Sequence, residues 1–340
     1  MLNHIEPLLG KTLQELQAIA QEVGLPRFAG KQLAEWLYVR RATTFDEMTN
    51  ISLKGREALK ERYTIGRHAP IAEAISKDGT KKYLFRIGEQ FVESVYLPED
   101  DRATLCVSTQ AGCKMGCKFC MTGTLGFHGH LAAADILNQI FSIPDADTLT
   151  NIVYMGEGEP MDNLDNVLRS LEAMTSPWGC AWSPKRITVS SVGVNKGLKR
   201  FIEESECHLA ISLHNPFAVE RQNIMPIEKV NHLSDVLALL KQYDWSHQRR
   251  VSFEYICWGG VNDTAKHANE LVRILKGLDC RINLIRFHAG VDQSFPNSNE
   301  KQMEWMRDYL TTTGITTTIR RSRGEDILAA CGMLVNALKS

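Results

Sequence analysis

At 340 residues with a net charge of −1, the chain has room for two domains or for one αβ barrel with an extension, and no global positive field advertises nucleic acid. Its 44% hydrophobic and 23% charged residues describe an ordinary globular protein. No apolar run reaches the roughly eighteen residues a membrane span needs. The opening Met1-Leu-Asn-His-Ile-Glu has neither the basic nor the apolar region of a signal peptide. The nine cysteines are odd in number and unevenly placed, which fits a reducing cytoplasm with thiols as ligands or reagents.

Residues 1–65 read as helices. Thr12-Leu-Gln-Glu15 is a capping box, Leu13, Leu16, Ile19 and Ala20 share a face, and Gly24 is the stop. A second helix carries Leu33, Trp36 and Leu37, with Phe45 and Met48 packed nearby. Lys31, Arg40, Arg41 and Lys54 form either an RNA-contacting face or a plain solvated one. From Lys81 to Leu97 the period becomes two: Tyr83, Phe85 and Ile87, then Phe91, Val95 and Leu97, with Gly88-Glu89 as the turn between strands. Glu93 occupies that apolar face, where a carboxylate is costly unless it is paired, as an edge-strand Glu with an Arg, or given a task.

After Pro98, short apolar strands alternate with amphipathic helices. The expected strands are Thr104–Thr109, Ile152–Met155, Arg186–Ser190, Leu209–Leu213, Val251–Ile256, Ile282–Arg286 and Thr316–Arg320. Leu164, Val167, Leu168, Leu171 and Met174 make one of the helical stripes between them. Such alternation implies α/β architecture with a parallel sheet, here a barrel or partial barrel, whose chemistry gathers at the C-terminal strand ends. The expected division is 1–65 helical, 66–98 a β-hairpin linker and 99–340 the barrel with its C-terminal segment.

Cys113, Cys117 and Cys120 are spaced Cys-x3-Cys-x2-Cys, with no fourth cysteine close behind. Thiolates suit iron–sulfur clusters, zinc or copper(I). A closed zinc site would need a fourth ligand, for which His128 and His130 are near enough in sequence. Three thiols in asymmetric spacing suit instead a four-iron cluster with one iron left open to a substrate. Further on, Gly156-Glu-Gly-Glu-Pro160 follows a strand, and its glycines let a ligand approach while Glu159 offers a carboxylate to an amine or a ribose hydroxyl. Ser190 and Ser212-Leu213-His214 end the next two strands, and His288 follows a later one; each is also an ordinary cap or structural residue. Arg320, Arg321 and Arg323 suit phosphates. Cys106 and Cys331, taken singly, read as small buried hydrophobes, and Cys180, Cys207, Cys257 and Cys280 as structural.

The cysteine triplet, with Phe119 before its last member, resembles the radical S-adenosylmethionine (SAM) superfamily. Nearly the whole chain resembles one of its families, the dual-specificity ribosomal and transfer RNA adenine-C2 methyltransferases. The resemblance rests on Phe45-Asp-Glu-Met-Thr49, Val92-Glu-Ser-Val-Tyr-Leu-Pro98, Asp101-Arg-Ala-Thr-Leu-Cys106, Gly126-Phe127, Ser212-Leu-His214, Met225-Pro-Ile227, Gly260-Val-Asn-Asp263 and, most specifically, Arg323-Gly-Glu-Asp-Ile-Leu-Ala-Ala-Cys-Gly332. It departs at Glu157, where the family often has an uncharged residue, at Gly129-His130, and at His288, where Asn is frequent.

The resemblance implies a partial (β/α)6 TIM-like barrel with a small helix-hairpin-helix-like N-terminal domain that contacts RNA. It implies one 4Fe–4S cluster on Cys113, Cys117 and Cys120, and SAM on Gly158, Glu159, Ser190, Ser212, Leu213, His214 and His288. Cys331 would carry a methyl group from one SAM, and a radical from a second would activate it for addition to C2 of an adenine in 23S rRNA and in tRNA. Glu93, on its apolar strand face, would remove the C2 proton. Cys106 would resolve the adduct by disulfide formation with Cys331. A flavodoxin- or ferredoxin-type donor would supply electrons, with no membrane involved. The alternatives are the related adenine-C8 methylases that confer antibiotic resistance, which generally lack the Arg-x-x-Arg-Gly form seen at Arg320–Gly324, and a non-catalytic, metal-stabilised RNA-binding protein.

Overall fold

The computed structural model describes residues 5–246, 249–288, 295–330 and 332–334. Among them a ten-stranded sheet dominates, and its strands lie side by side in chain order. We label them β1 (Ala72–Ile75), β2 (Lys81–Ile87), β3 (Gln90–Pro98), β4 (Ala103–Cys106), β5 (Asn151–Tyr154), β6 (Ile187–Ser191), β7 (His208–Ser212), β8 (Val251–Cys257), β9 (Cys280–Arg286) and β10 (Thr316–Arg320). β4 to β10 are all parallel, and β1, β2 and β3 extend the sheet antiparallel from β4. All seven barrel strands expected from the sequence are present, to within a few residues at their ends.

Helices cross over between the parallel strands. Leu164–Thr175 is typical: Leu164, Val167, Leu171 and Met174 are buried on its inner stripe. Leu105, Ile152, Val189, Leu209, Phe253 and Ile282 line the strand faces beneath the helices and are essentially inaccessible. The sheet is thus a partial barrel, with helices outside.

At the N-terminus, Thr12 and Glu15 form the capping box of the helix Leu13–Glu22. The second helix, Ala29–Ala34, runs on into a wider π-type turn, Glu35–Val39. Leu16, Ile19, Leu33 and Leu37 join the same continuous core as the barrel. Arg169 pairs with Glu15 at 2.8 Å and Arg41 with Asp147 at 2.7 Å across that junction.

The β2–β3 hairpin turns at Gly88-Glu89 as expected, but β3 is not an edge strand. It lies between β2 and β4 and is buried on both faces from Val92 to Tyr96. The short strand β1 outside it was not anticipated, because its Ala-Glu-Ala-Ile sequence carries little β-branched or aromatic signal. No helix among the described residues is long and apolar enough to cross a membrane.

Candidate active site

The loop after β4 carries the cysteines. Two short antiparallel strands, Gln110–Gly112 and Phe127–His130, close its base, and the Cys113 N–H donates to Gly126 O at 2.9 Å. Cys113, Cys117 and Cys120 all line one cavity at the C-terminal strand ends, together with Glu159, Ser190, Ser212 and His214. The cavity encloses about 880 Å³ including its open mouth. Met115, Met225, Ile256 and Trp258 pack behind the thiols. Burial pushes the Cys113 thiol up to about 12 and raises Cys117 and Cys120 as well. Three thiols in so apolar a wall ionise readily only beside a positive centre such as a metal.

Among the described residues, no three His, Cys, Asp or Glu groups could hold a single metal ion. A four-iron cluster is a cage whose ligands stand around a volume, and three thiols around one cavity meet that requirement. His128 Nε2 donates to its own loop at Leu125 O (2.9 Å), and His130 lies 3.1 Å from the Gln110 amide. Neither is part of the cavity lining, so a histidine-completed zinc site gains nothing from the fold.

The turn after β5 holds the other wall. Gly158 adopts φ +99°, and a Cβ there would lie 2.5 Å from the Gln110 side chain, so only glycine fits. Gln110 accepts from the Glu159 N–H at 2.9 Å and donates to Asp162 at 2.8 Å, clamping the turn. Glu159 is buried, and its carboxylate accepts from the Met161 N–H (3.1 Å) and the Val192 N–H (2.8 Å). Burial outweighs those bonds and raises its pKa to about 7. A cation placed in the cavity would restore its charge.

His214 sits in the left-handed region at φ +54°. Its Nδ1 accepts from the Ile256 N–H at 3.1 Å, so in the neutral ring the proton is on Nε2. Burial lowers its pKa to about 3, keeping that ring neutral. Leu213 is fully buried and takes no part in the cavity lining; its carbonyl accepts from the Arg221 guanidinium at 3.1 Å. Arg221, itself buried and ion-paired with Glu228, also donates to Ser212 O (3.0 Å) and Val192 O (2.9 Å), tying the ends of β6 and β7 together.

Glu93 and Cys106 lie on β3 and β4, outside that cavity lining. The expected arginine partner of Glu93 is a lysine: Lys82 Nζ stands 3.1 Å from Glu93 Oε1, both side chains buried. The same Nζ donates to Leu328 O at 3.3 Å. Lys82 was not singled out from the sequence, although the signal was present. The two-residue turn puts Ile87 opposite Gln90, hence Leu84 opposite Glu93 and Lys82 diagonal to it.

Cys106 packs with Val95, Ala329 and Leu334. Cys331 lies outside the described residues. Its described flanks are anchored: Asp326 accepts from Ser76 Oγ (2.5 Å) and the Lys77 N–H (3.2 Å), the Met121 N–H donates to Gly332 O (2.7 Å), and Thr122 Oγ1 donates to Leu334 O (3.0 Å). Gly324, at φ +64°, starts this stretch, and a Cβ on it would lie 2.8 Å from Thr80 and Ala329.

His288 does not face the cysteine cavity. It lines the neighbouring cleft with Arg102, Arg320, Arg321 and Arg323, within 2.6 Å of Ser322 Oγ and 3.3 Å of Glu325. Burial there lowers its pKa. Of the N-terminal basic residues, Arg40 pairs with Glu35 and stacks on Trp36, and Arg41 pairs with Asp147, while Lys31 and Lys54 are exposed. Glu157, which the sequence marks only as a departure, is a buried staple. It accepts from the Glu93 N–H (2.8 Å) and the Gly112 N–H (3.2 Å), joining β3 to the root of the cysteine loop.

Comparison with known proteins agrees with this geometry. Residues 7–65 match the ribosomal RNA large subunit methyltransferase N-terminal domain, and residues 107–275 match the radical SAM superfamily. The chain is 58% identical over 332 residues to a probable dual-specificity RNA methyltransferase RlmN of Bacteroides thetaiotaomicron, covering 97% of this chain and 96% of that one. It is 60% identical over 328 residues to a protein of the same description from Porphyromonas gingivalis, covering 96% of each. A crystal structure of a radical SAM methyltransferase from Sphaerobacter thermophilus superposes with a TM-score of 0.91 at 35% identity, covering 97% of this chain and 99% of that one.

Proposed function

The chain belongs to the RlmN family of radical SAM RNA methyltransferases, and on that premise we propose that it methylates C2 of an adenine in 23S rRNA and in tRNA. The observation that carries the proposal is the shared cavity. Three cysteines and a buried carboxylate face one space at the strand ends, beside the segment on either side of position 331. When bound, a 4Fe–4S cluster and SAM supply the electron, the radical and the methyl group.

The chain's own residues do the rest. Cys113, Cys117 and Cys120 hold the cluster, and the apolar wall of Met115, Phe119 and Ile256 keeps water from it. Glu159 takes the amino group of SAM, and Gly158, Ser190, Ser212 and His214 line its path. Leu213 and His288 complete the expected SAM set; Leu213 is fully buried with its carbonyl held by Arg221, and His288 faces the basic cleft. Cys331 carries the methyl group. Glu93 takes the C2 proton, and its pairing with Lys82 gives the carboxylate a fixed direction. Cys106 then attacks the Cys331 sulfur, forming a disulfide as the methylated base leaves; its packing against Ala329 and Leu334 supports that pairing. Arg102, Arg320, Arg321 and Arg323 line the cleft through which RNA phosphates approach. The N-terminal helices add a second RNA contact. A flavodoxin- or ferredoxin-type donor reduces the cluster in the cytoplasm.

The test is nucleoside mass spectrometry of 23S rRNA and tRNA incubated with reduced enzyme and SAM. 2-Methyladenosine is expected, and 8-methyladenosine as sole product would overturn the assignment. Cys331→Ala abolishes methylation with SAM binding retained. Cys106→Ala traps a covalent protein–RNA adduct, and a freely released product would contradict its role.

A further inference from the structure

Glu254 has no part in the scheme above, yet it lines the SAM cavity with Ser190, Ser212 and Arg320. It is only 5% exposed. Its Oε1 accepts from the Asn283 amide at 2.7 Å. Its Oε2 is buried and, among the described residues, no hydrogen-bond donor reaches it. Arg320 Nη1 stands 3.8 Å from that oxygen, close enough to balance charge and too far for a hydrogen bond. A buried carboxylate oxygen without a donor is destabilising unless a ligand completes it. Because Arg320 already balances the charge, the missing donor is a neutral one.

The register says where that donor must come from. Glu254 on β8 pairs directly with Ser212 on β7 and with Asn283 on β9, so the three side chains form one polar row across the barrel interior. Ile256, the next inward residue on β8, and Ile285, the next on β9, make an apolar layer above it. A ligand with a flat apolar ring over the isoleucines would bring its sugar down onto the Ser212–Glu254 row. Carboxylates facing ribose diols are a recurrent solution in nucleotide sites, since each hydroxyl donates readily to an ionised acceptor.

We propose that Glu254 is the ribose-binding carboxylate of the SAM site, its Oε2 accepting from a ribose hydroxyl while Arg320 and Asn283 hold it in place. This rests on the reading of the cavity as a SAM site. The test uses holoprotein with its cluster oxidised, so that SAM is bound and not cleaved. Titration calorimetry compares SAM with its 2′-deoxy and 3′-deoxy analogues in the wild type and in Glu254→Leu. In the wild type, one of the two deoxy analogues should bind about tenfold or more weakly, the size of a hydrogen bond to a charged group. In Glu254→Leu that penalty should fall to about twofold or less, because the partner of the deleted hydroxyl is gone. An unchanged penalty in the variant overturns the proposal. So does a wild type indifferent to both deletions. Where Glu254→Leu loses its cluster absorbance, Glu254→Gln, which keeps an acceptor for Asn283, is read instead. A reduced deoxy penalty supports the proposal, and an unaltered one sinks it. If the wild type binds no SAM at all, the reading of the cavity fails with it; SAM binding without hydroxyl coupling removes only Glu254.

Discussion

Cys113, Cys117 and Cys120 belong to one loop, whereas the groups against the C-terminal segment come from widely separated parts of the chain: Lys82 and Glu93 from the hairpin, Cys106 from β4, and the stretch from Gly324 to Leu334. The first region is positioned by local backbone bonds and an apolar wall. The second is positioned by long-range polar ties, such as Asp326 to Ser76, 250 residues apart in sequence. A loop fixed locally keeps its shape when its neighbours change. A site assembled from three pieces fails when any one tie is lost.

The largest effect should come from breaking the local region at its centre. Cys117→Ala should eliminate methylation and the broad absorbance near 400 nm, about where iron–sulfur charge transfer lies, while circular dichroism stays that of the folded protein. Next comes the assembled region. Lys82→Met leaves the Glu93 carboxylate buried without its cation, which should lower stability by about 3–5 kcal/mol in urea unfolding. The double variant Lys82→Met/Glu93→Met should recover most of that stability and none of the turnover. If turnover returns with stability, Glu93 is structural.

The same contrast governs what could be read in advance. The cysteine loop, the Gly158–Glu159 turn and the strands β4 to β10 are legible because each depends on a few adjacent residues and on one period. The hairpin is legible as strands, and the partner of Glu93 becomes legible only when the register is carried across the two-residue turn. Glu157 and Arg221 escaped for the opposite reason. Each looks like an ordinary charged residue, and only the closure of the barrel buries it against Glu93 and Gly112, or against the ends of β6 and β7. His288 was placed with SAM by position in sequence, yet β9 delivers it to the basic cleft.

On the wall facing the cysteine loop, Glu159 offers a pH test. Its folded pKa is raised from 4.5 to about 7 by burial. The unfolded chain therefore binds fewer protons than the folded one between those values, and stability falls as pH rises through that window. The contribution is intact below about 4.5 and lost above about 7, a loss on the order of 3 kcal/mol in the absence of ligand. Glu159→Gln should abolish it. Unfolding free energies of the two proteins at pH 4.5, 6 and 8 check this: their difference should move against the wild type as pH rises, and parallel curves would show that Glu159 is not the titrating group. SAM, by bringing an amino group, should stabilise the wild type more at pH 8 than at pH 5.

The smallest effect belongs to the outermost tie. Asp326 is exposed, and its two bonds to Ser76 and Lys77 fasten the C-terminal segment to the turn between β1 and β2. Hydrogen bonds at the surface exchange with water at little net gain, so Asp326→Ala should leave the fold and SAM affinity unchanged. It should instead slow turnover by roughly three- to tenfold, because the segment carrying Cys331 spends less time against Cys106 and the cavity. The effect should lie in kcat, with KM for SAM within about twofold of wild type. A loss of SAM affinity would mean that the segment shapes the cavity itself, and the two regions would then be one.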